Sequence, residues 1–333
     1  MTENQTMSQF GFLTDPLALS VLNVYKPVGP TSHDMVSLLR HKLGVKKNGP
    51  VKIGHMGTLD PFAEGVLPIA IGHTTRLIEY FATDKAYQTV IVFGKTTNTL
   101  DCTGELTEQS PCPQLTADSV EAVLPEFTGT IRQEVPQHAA VKVDGKKLYE
   151  FAHKGIEVAA PVKTVTIHSI SLSQWDTLTE PGFPRCTLTV ECGSGTYIRA
   201  LARDLGRRLR TVAHLTQLIR VRHGSFSLDK SIRLSPERAL EPALVSQLES
   251  PLTYLPLPQI TVSSLEDIEA LRHGRSLNFG RSLNFERNQF DDGPVLLVSL
   301  PQQISEQDSS QPFLLAVAQI TPEGRLAPIK VFL

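Results

Sequence analysis

Polar and apolar side chains alternate along KAYQTVIVF, and this period of two predicts a strand from Lys85 to Phe93, followed by the polar loop TTNTLDCTG. Upstream, SVLNVYKPVGPTSHDMVSLLRHKLG predicts a short strand, a Pro and Gly turn, and a helix capped by Thr31 or Ser32 and stopped at Gly44. Helical spacing returns in TADSVEAVLPEF, with Thr116 as its cap, and in KKLYEFAHKG, ended by Gly155. KTVTIHSISLSQW and RCTLTVECGSG are rich in strand-forming residues, and the second runs into a helix predicted from Thr196 to Arg210. Strands mix with helices without a regular βαβ repeat, which predicts an α+β fold on a mixed, largely antiparallel sheet flanked by helices.

Further along, SPERALEPALVSQLESPL predicts a helix and then a Pro-broken linker near residue 250. A small β-rich region follows, closed by FLLAVAQITPEGRLAPIKVFL, two strands around a turn at Pro322, Glu323 and Gly324. These signals divide the chain into a loosely held tail (1–20), a main domain (21–250) and a small β-rich domain (251–333). The hexapeptide GRSLNF occurs twice in succession, from Gly274 and from Gly280. Two copies are too few for a solenoid, so the repeat reads as a lengthened surface loop; PQQISEQDSSQP reads as a disordered loop tip.

Composition narrows the class. With 333 residues, 41% hydrophobic and 20% charged, the chain suits an ordinary globular protein with a sizeable core. Its start lacks a basic segment leading an apolar one, and no run is long enough to span a bilayer, so a cytoplasmic location without membrane contact is expected. Cys102, Cys112, Cys186 and Cys192 lack CxxC spacing, which indicates neither a zinc site nor a disulfide framework. A formal charge of −2 argues against indiscriminate coating of nucleic acid, but residues 196 to 222 carry seven arginines against Asp204 alone. That stretch, with Arg203 and Arg220 in it, is a candidate phosphate-binding face, and a solvated helix face is the competing reading for Arg207, Arg208 and Arg210.

Three short stretches carry candidate chemistry. GHMGTLDPFAEG, residues 54 to 65, surrounds Asp60 with glycines and His55. A helix N-cap at Asp60, with Pro61 in the first turn, would explain the acid alone, but a cap has no need of Gly54 and Gly57 ahead of it. In CGSGTYIRALARDLGRRLR the arginine at 199 falls in the first helical turn, where the helix dipole disfavours a cation and a partner is expected to hold it. Lys85 and Tyr87 stand two apart on one strand and share a face, so an aromatic ring for stacking a base lies beside a cation for a phosphate.

Together these stretches resemble the TruB family, bacterial tRNA pseudouridine-55 synthases, from about Asn23 through the final hairpin. GHMGTLDPFAEGVLPIAIGHTTR is similar to the family's GHxGxLDPxAxGxLPxxxGxxT pattern, and NVYKPVGPTSHD, KAYQTVIVFGKTTNTLDCTG, AAVKVDGKKLYEFAHKG, CGSGTYIRALARDLG and HLTQLIRVRHGSF follow in family order. The resemblance implies a pseudouridine synthase fold with a PUA-like C-terminal RNA-binding domain. It implies that Asp60 is the catalytic carboxylate, that Arg199 pairs with it, and that Tyr87 stacks on the target uracil. Leu218 would pack beside that base, His55 would contact the disrupted T loop, and Lys26 would have a structural or phosphate role near the cleft. QEVPQHAAVKVDG departs from the family, which usually shows two adjacent prolines and then Tyr or Phe and Ser where Val135, Pro136, His138 and Ala139 stand.

The implied reaction isomerises uridine 55 of the tRNA T loop: the bond from N1 to C1′ breaks and the same uracil rejoins through C5, without redox change. No cofactor or metal is expected. Asp60 would act ionised, as a nucleophile or by removing a sugar proton, and a guanidinium fork would hold its oxygens. The buried uridine must be flipped out, at a cost of roughly a few kcal/mol. The expected partner is a T stem and loop, with the protein a monomer and without an obligatory protein partner. Two other readings carry different expectations: a catalytically silent tRNA chaperone of this fold, and a guide-RNA-dependent pseudouridylase subunit.

Overall fold

The computed structural model describes residues 15–143, 145–152, 154–156, 158–278, 293–300 and 312–333. Its main sheet runs in the order β14-β1-β3-β12-β4-β11-β10-β7, with β13 added to β12 and β2 to β3. The strands are β1 (Leu19–Lys26), β2 (Ile53–His55), β3 (Glu64–Gly72), β4 (Lys85–Phe93), β7 (Gly129–Glu134), β10 (Val162–Asp176), β11 (Arg185–Cys192), β12 (Ala213–His223), β13 (Phe226–Ser227) and β14 (Ile232–Arg233). Two contacts, β1 with β14 and β3 with β12, are parallel and the others antiparallel. The fold is thus α+β on a mixed, largely antiparallel sheet, as the absence of a βαβ repeat predicts. Small hairpins pair β5 (Lys95–Thr97) with β6 (Leu106–Gln109) and β8 (Lys142–Val143) with β9 (Lys146–Lys147).

Helices cover one side of the sheet. In α1 (Ser32–Lys42), Thr31 forms a reciprocal capping box with Asp34, and Met35, Val36 and Leu39 turn into the core. The short α2 (Ala117–Glu121) starts at its capping Thr116, and α3 (Leu148–Ala152) lies ahead of Gly155. Helix α4 (Ile198–Arg208) is shorter at both ends than its sequence predicts: Tyr197 is extended at the N-cap, and Arg210 adopts φ 57° past the C-cap. Its stripe of Ile198, Leu201 and Leu205 packs into the main core with Leu67, Ile69, Ile91 and Leu188.

The helix predicted in SPERALEPALVSQLESPL does not form. The segment makes only 3-10 turns at Pro242–Gln247 and Pro251–Thr253, because Pro236, Pro242 and Pro251 each remove a backbone donor. β1 begins at Leu19, inside the stretch read as a tail. A second sheet, ordered β15-β17-β18-β19-β16, is built from β15 (Gln259–Thr261), β16 (Leu277–Asn278), β17 (Pro294–Ser299), β18 (Phe313–Ile320) and β19 (Arg325–Val331). It is covered by α5 (Leu265–Arg272) and contains the expected final hairpin. In the first hexapeptide copy, Leu277 and Asn278 form an edge strand and Leu277 is buried; Phe279 and the second copy lie outside the described residues, as does the interior of PQQISEQDSSQP. The two sheets meet through Val21, Val66, Phe81, Phe226 and Tyr254 on one side and Leu296, Val298, Leu314 and Phe332 on the other.

Candidate active site

Residues 56–63 join β2 to β3 as a loop whose backbone is held from below. No helix follows Asp60; its carbonyl accepts from Ala63 N at 3.1 Å in a turn, so the capping explanation for this acid is removed. Lys26 Nζ donates to the carbonyls of Pro27, Pro61 and Ala63 at 2.9, 3.2 and 2.6 Å. Ser32 Oγ donates to Leu59 O and accepts from Leu59 N, at 3.1 and 2.8 Å. Arg220 donates to Val66 O (2.7 Å), Thr58 O (3.2 Å) and Gly57 O (3.0 Å). Each inward-turned carbonyl therefore has a donor, which a buried loop requires.

At the top of this loop the Asp60 side chain is 35% exposed, and its Oδ2 lies 2.9 Å from Nε of Arg199, whose side chain is 5% exposed. The Nε–H is not aimed along this line, so the contact is an ion pair and not a directed hydrogen bond. The expected fork onto one carboxylate is replaced by a hub. Arg199 Nη1 donates to Thr99 O at 2.9 Å and lies 3.6 Å from Asp101 Oδ2, while Nη2 donates to His138 O at 3.3 Å. Among the described residues Asp60 Oδ1 has no hydrogen-bond partner, which leaves one carboxylate oxygen for a ligand.

Asp101 is a buried acid that the sequence reading passed over. Its Oδ1 accepts from Thr99 Oγ1 (2.8 Å), Thr103 N (3.0 Å) and Thr103 Oγ1 (2.6 Å), so threonines two places to either side fix it in a local turn. That T-x-D-x-T spacing in the polar loop was its only sequence signal.

A cleft of about 350 Å³ opens between this loop, the head of β4 and the turn before α4. It brings together Asp60, Arg199, Tyr87, Lys85 and Leu218, five of the residues singled out in the sequence. Tyr197, His223 and Ala139 to Val141 also line it and were not assigned to it. Burial pushes the Tyr87 hydroxyl pKa up while Arg220 pulls it down, and burial lowers that of Lys85. His223 is pushed down to about 2, by burial first and then by Arg220 and Lys85, so its ring is neutral. A Cβ on Gly57 would stand 2.7 Å from His223 Cε1; the loop passes the imidazole where only glycine fits.

Four expectations fare differently. His55 ends β2 and, among the described residues, is not part of the cleft lining; burial lowers its pKa, and its Nδ1 is enclosed without a partner. Lys26 and Arg220 are fully buried and turned to backbone carbonyls, which places them beneath the loop and out of reach of a phosphate. Burial lowers the Lys26 pKa to about 8, with Asp60 opposing. Arg203 is turned away from the cleft: its Nε donates to Asp204 at 2.8 Å and its Nη2 to Glu134 O at 3.0 Å. Arg207 and Arg208 are likewise matched by Glu134 and Glu126, so acids from distant segments largely neutralise the basic stretch.

Known proteins share this chain's sequence and fold. The family model described as "TruB family pseudouridylate synthase (N terminal domain)" matches residues 40–198. A tRNA pseudouridine synthase B of Synechocystis sp. is 41% identical over 302 residues, covering 91% of this chain and 94% of the relative. Another, from Carboxydothermus hydrogenoformans, is 46% identical over 223 residues, 66% of this chain and 75% of the relative. Among solved structures, a chain of an H/ACA RNP bound to a substrate RNA containing 2′-deoxyuridine aligns with a TM-score of 0.64 at 21% identity, over 96% of this chain and 86% of that one. A chain of a Cbf5-Nop10-Gar1 complex aligns with a TM-score of 0.63 at 23% identity, over 97% and 87%. At such identities these structures carry the fold alone.

Proposed function

The chain belongs to the TruB family of pseudouridylate synthases and is a tRNA pseudouridine synthase, an isomerase; we propose that it converts uridine 55 of the T loop with Asp60 as the catalytic group. The observation that carries this reading is the Asp60 carboxylate, paired through Oδ2 to a buried guanidinium and open at Oδ1, at the mouth of a cleft walled by Tyr87 and Leu218. Both routes to a severed N1–C1′ bond, attack by the carboxylate or removal of a sugar proton, need an ionised acid with a free oxygen. Arg199 holds the carboxylate in place. Tyr87 stacks on the detached uracil while it turns to present C5 to C1′, and Leu218 packs beside it; N1 gains a proton and C5 loses one.

To reach Asp60 the uridine must leave its stack, which costs roughly a few kcal/mol. Lys85 at the cleft edge holds a neighbouring phosphate, and His55 meets the opened loop from outside the cleft. The unit spanning 21–250 does the chemistry, and the β-rich unit from 251 onward is a PUA-like RNA contact. The protein works as a monomer, without a partner protein or guide, in the cytoplasm where its tRNA substrate is found; no helix among the described residues is long and apolar enough to cross a membrane. Incubating the purified protein with an unmodified tRNA transcript and mapping pseudouridine tests this reading. One new pseudouridine at position 55 is expected, and no product from the protein alone would refute it.

A further inference from the structure

Among the described residues Arg220 is the largest fully buried side chain, and it forms no ion pair with any of them. Burying a guanidinium without a counter-charge is costly, and an apolar side chain of similar volume would be cheaper at a position with only a packing role. Its surroundings show what its donors serve. In the register of β12, Arg220 stands directly opposite Tyr87 of β4 on one side and Gly65 of β3 on the other. Cross-strand partners project to the same face, so Arg220 and the Tyr87 ring lie side by side on one face of the sheet, and the charge of Arg220 opposes the rise that burial gives the Tyr87 hydroxyl pKa. Its three nitrogens hold the carbonyls of Gly57 and Thr58, immediately before Leu59 and Asp60, and that of Val66 just after the loop. Gly65 has φ 107°, and a Cβ there would stand 2.3 Å from Arg220 O, so β3 and β12 approach closely where the loop ends.

We propose that Arg220 is a positioning residue, which sets the Tyr87 ring on one wall of the cleft and the backbone leading into Asp60 on the other at a fixed separation. One rigid side chain serves both walls, its fork through the loop carbonyls and its stem through its cross-strand place beside Tyr87. The ring that stacks on the uracil and the acid that reacts near its sugar are then aligned to each other and not merely to the fold. This inference rests on the uridine-isomerising function given above. Misalignment of such a pair lowers the rate of the chemical step far more than binding of a T stem-loop, most of which is made elsewhere.

The test measures kcat, KM and Tm for Arg220→Lys and Arg220→Gln on a T stem-loop RNA, each also in a Tyr87→Phe background, beside the wild-type protein. Lysine keeps the charge but cannot reproduce the fork. A folded Arg220→Lys or Arg220→Gln with kcat lowered tenfold or more, KM within about threefold, and a loss at least threefold smaller in the Tyr87→Phe background is expected. Equal losses in both backgrounds, normal turnover by a folded variant, or failure of both variants to fold would overturn the proposal, because each leaves Arg220 with a structural role only. A wild-type protein that makes no pseudouridine would overturn the functional reading instead, and the positioning role with it.

Discussion

Arg199 places its Nε 2.9 Å from Oδ2 of Asp60, while the far end of the same guanidinium reaches Asp101, Thr99 O and His138 O. One cation thus joins the half-buried acid of the loop between β2 and β3, a buried acid of the turn between β5 and β6, and the segment that follows β7. Lysine has a single ammonium and cannot span these partners. Arg199→Lys is expected to lower kcat by roughly 100-fold, as loss of about 3 kcal/mol at a buried ion pair would produce. Steady-state turnover on a T stem-loop checks this, and near-normal kcat would reject the hub.

Gly57 is predicted to resist any side chain. A Cβ there falls 2.7 Å from Cε1 of His223, a ring only 3% exposed with little room to move. Gly57→Ala should therefore destabilise by about 1–3 kcal/mol, the usual range for overpacking. Adding His223→Ala should recover part of that loss. Thermal unfolding of the three variants measures it; additive losses would show that the ring is not what the new methyl meets.

His223 also sets a pH dependence. Its pKa is near 2 in the fold, against about 6.5 in an unfolded chain, so between these values the unfolded state binds one more proton. Stability contributed by the neutral ring is complete above about pH 6.5 and is lost as pH falls, by about 1.4 kcal/mol per pH unit. From pH 7 to 5 the wild-type protein should lose about 2 kcal/mol that His223→Gln does not lose. Urea unfolding at the two pH values decides this; parallel losses in both proteins would contradict it.

The thiols offer a simple check of the packing. Cys102 is exposed, whereas Cys112, Cys186 and Cys192 are buried, and burial pushes Cys186 up to about 12. A chromogenic disulfide reagent should titrate one thiol quickly in the native protein and the other three only on unfolding. Rapid reaction of a second thiol would show that the core opens locally.

Much of the fold is legible from periodicity. Lys85 to Phe93 and Thr31 as a cap match in position, because alternation and capping are local properties of the chain. The failed helix before residue 250 shows the limit: apolar spacing is a weaker signal than three prolines. At the site, Asp60, Arg199, Tyr87, Lys85 and Leu218 were each identifiable by residue type and neighbours, and they converge on one cleft. What the sequence concealed is pairing across distance. Glu134 and Glu126 neutralise arginines more than 60 residues away, and nothing in YKP or LIRVRHG distinguishes a cation that faces phosphate from one that holds backbone carbonyls. Asp101 was hidden for the same reason, since its importance comes from Arg199, which lies far along the chain.

The most direct test replaces one oxygen. Asp60→Asn keeps the size of the side chain but removes its charge, and pseudouridine at position 55 of an unmodified tRNA is mapped while binding of the T stem-loop is measured on the same samples. Product formation reduced by about 1,000-fold or more, with affinity changed no more than about fivefold, is the expected result. Turnover by Asp60→Asn close to that of the wild-type protein would show that the carboxylate is not the catalyst.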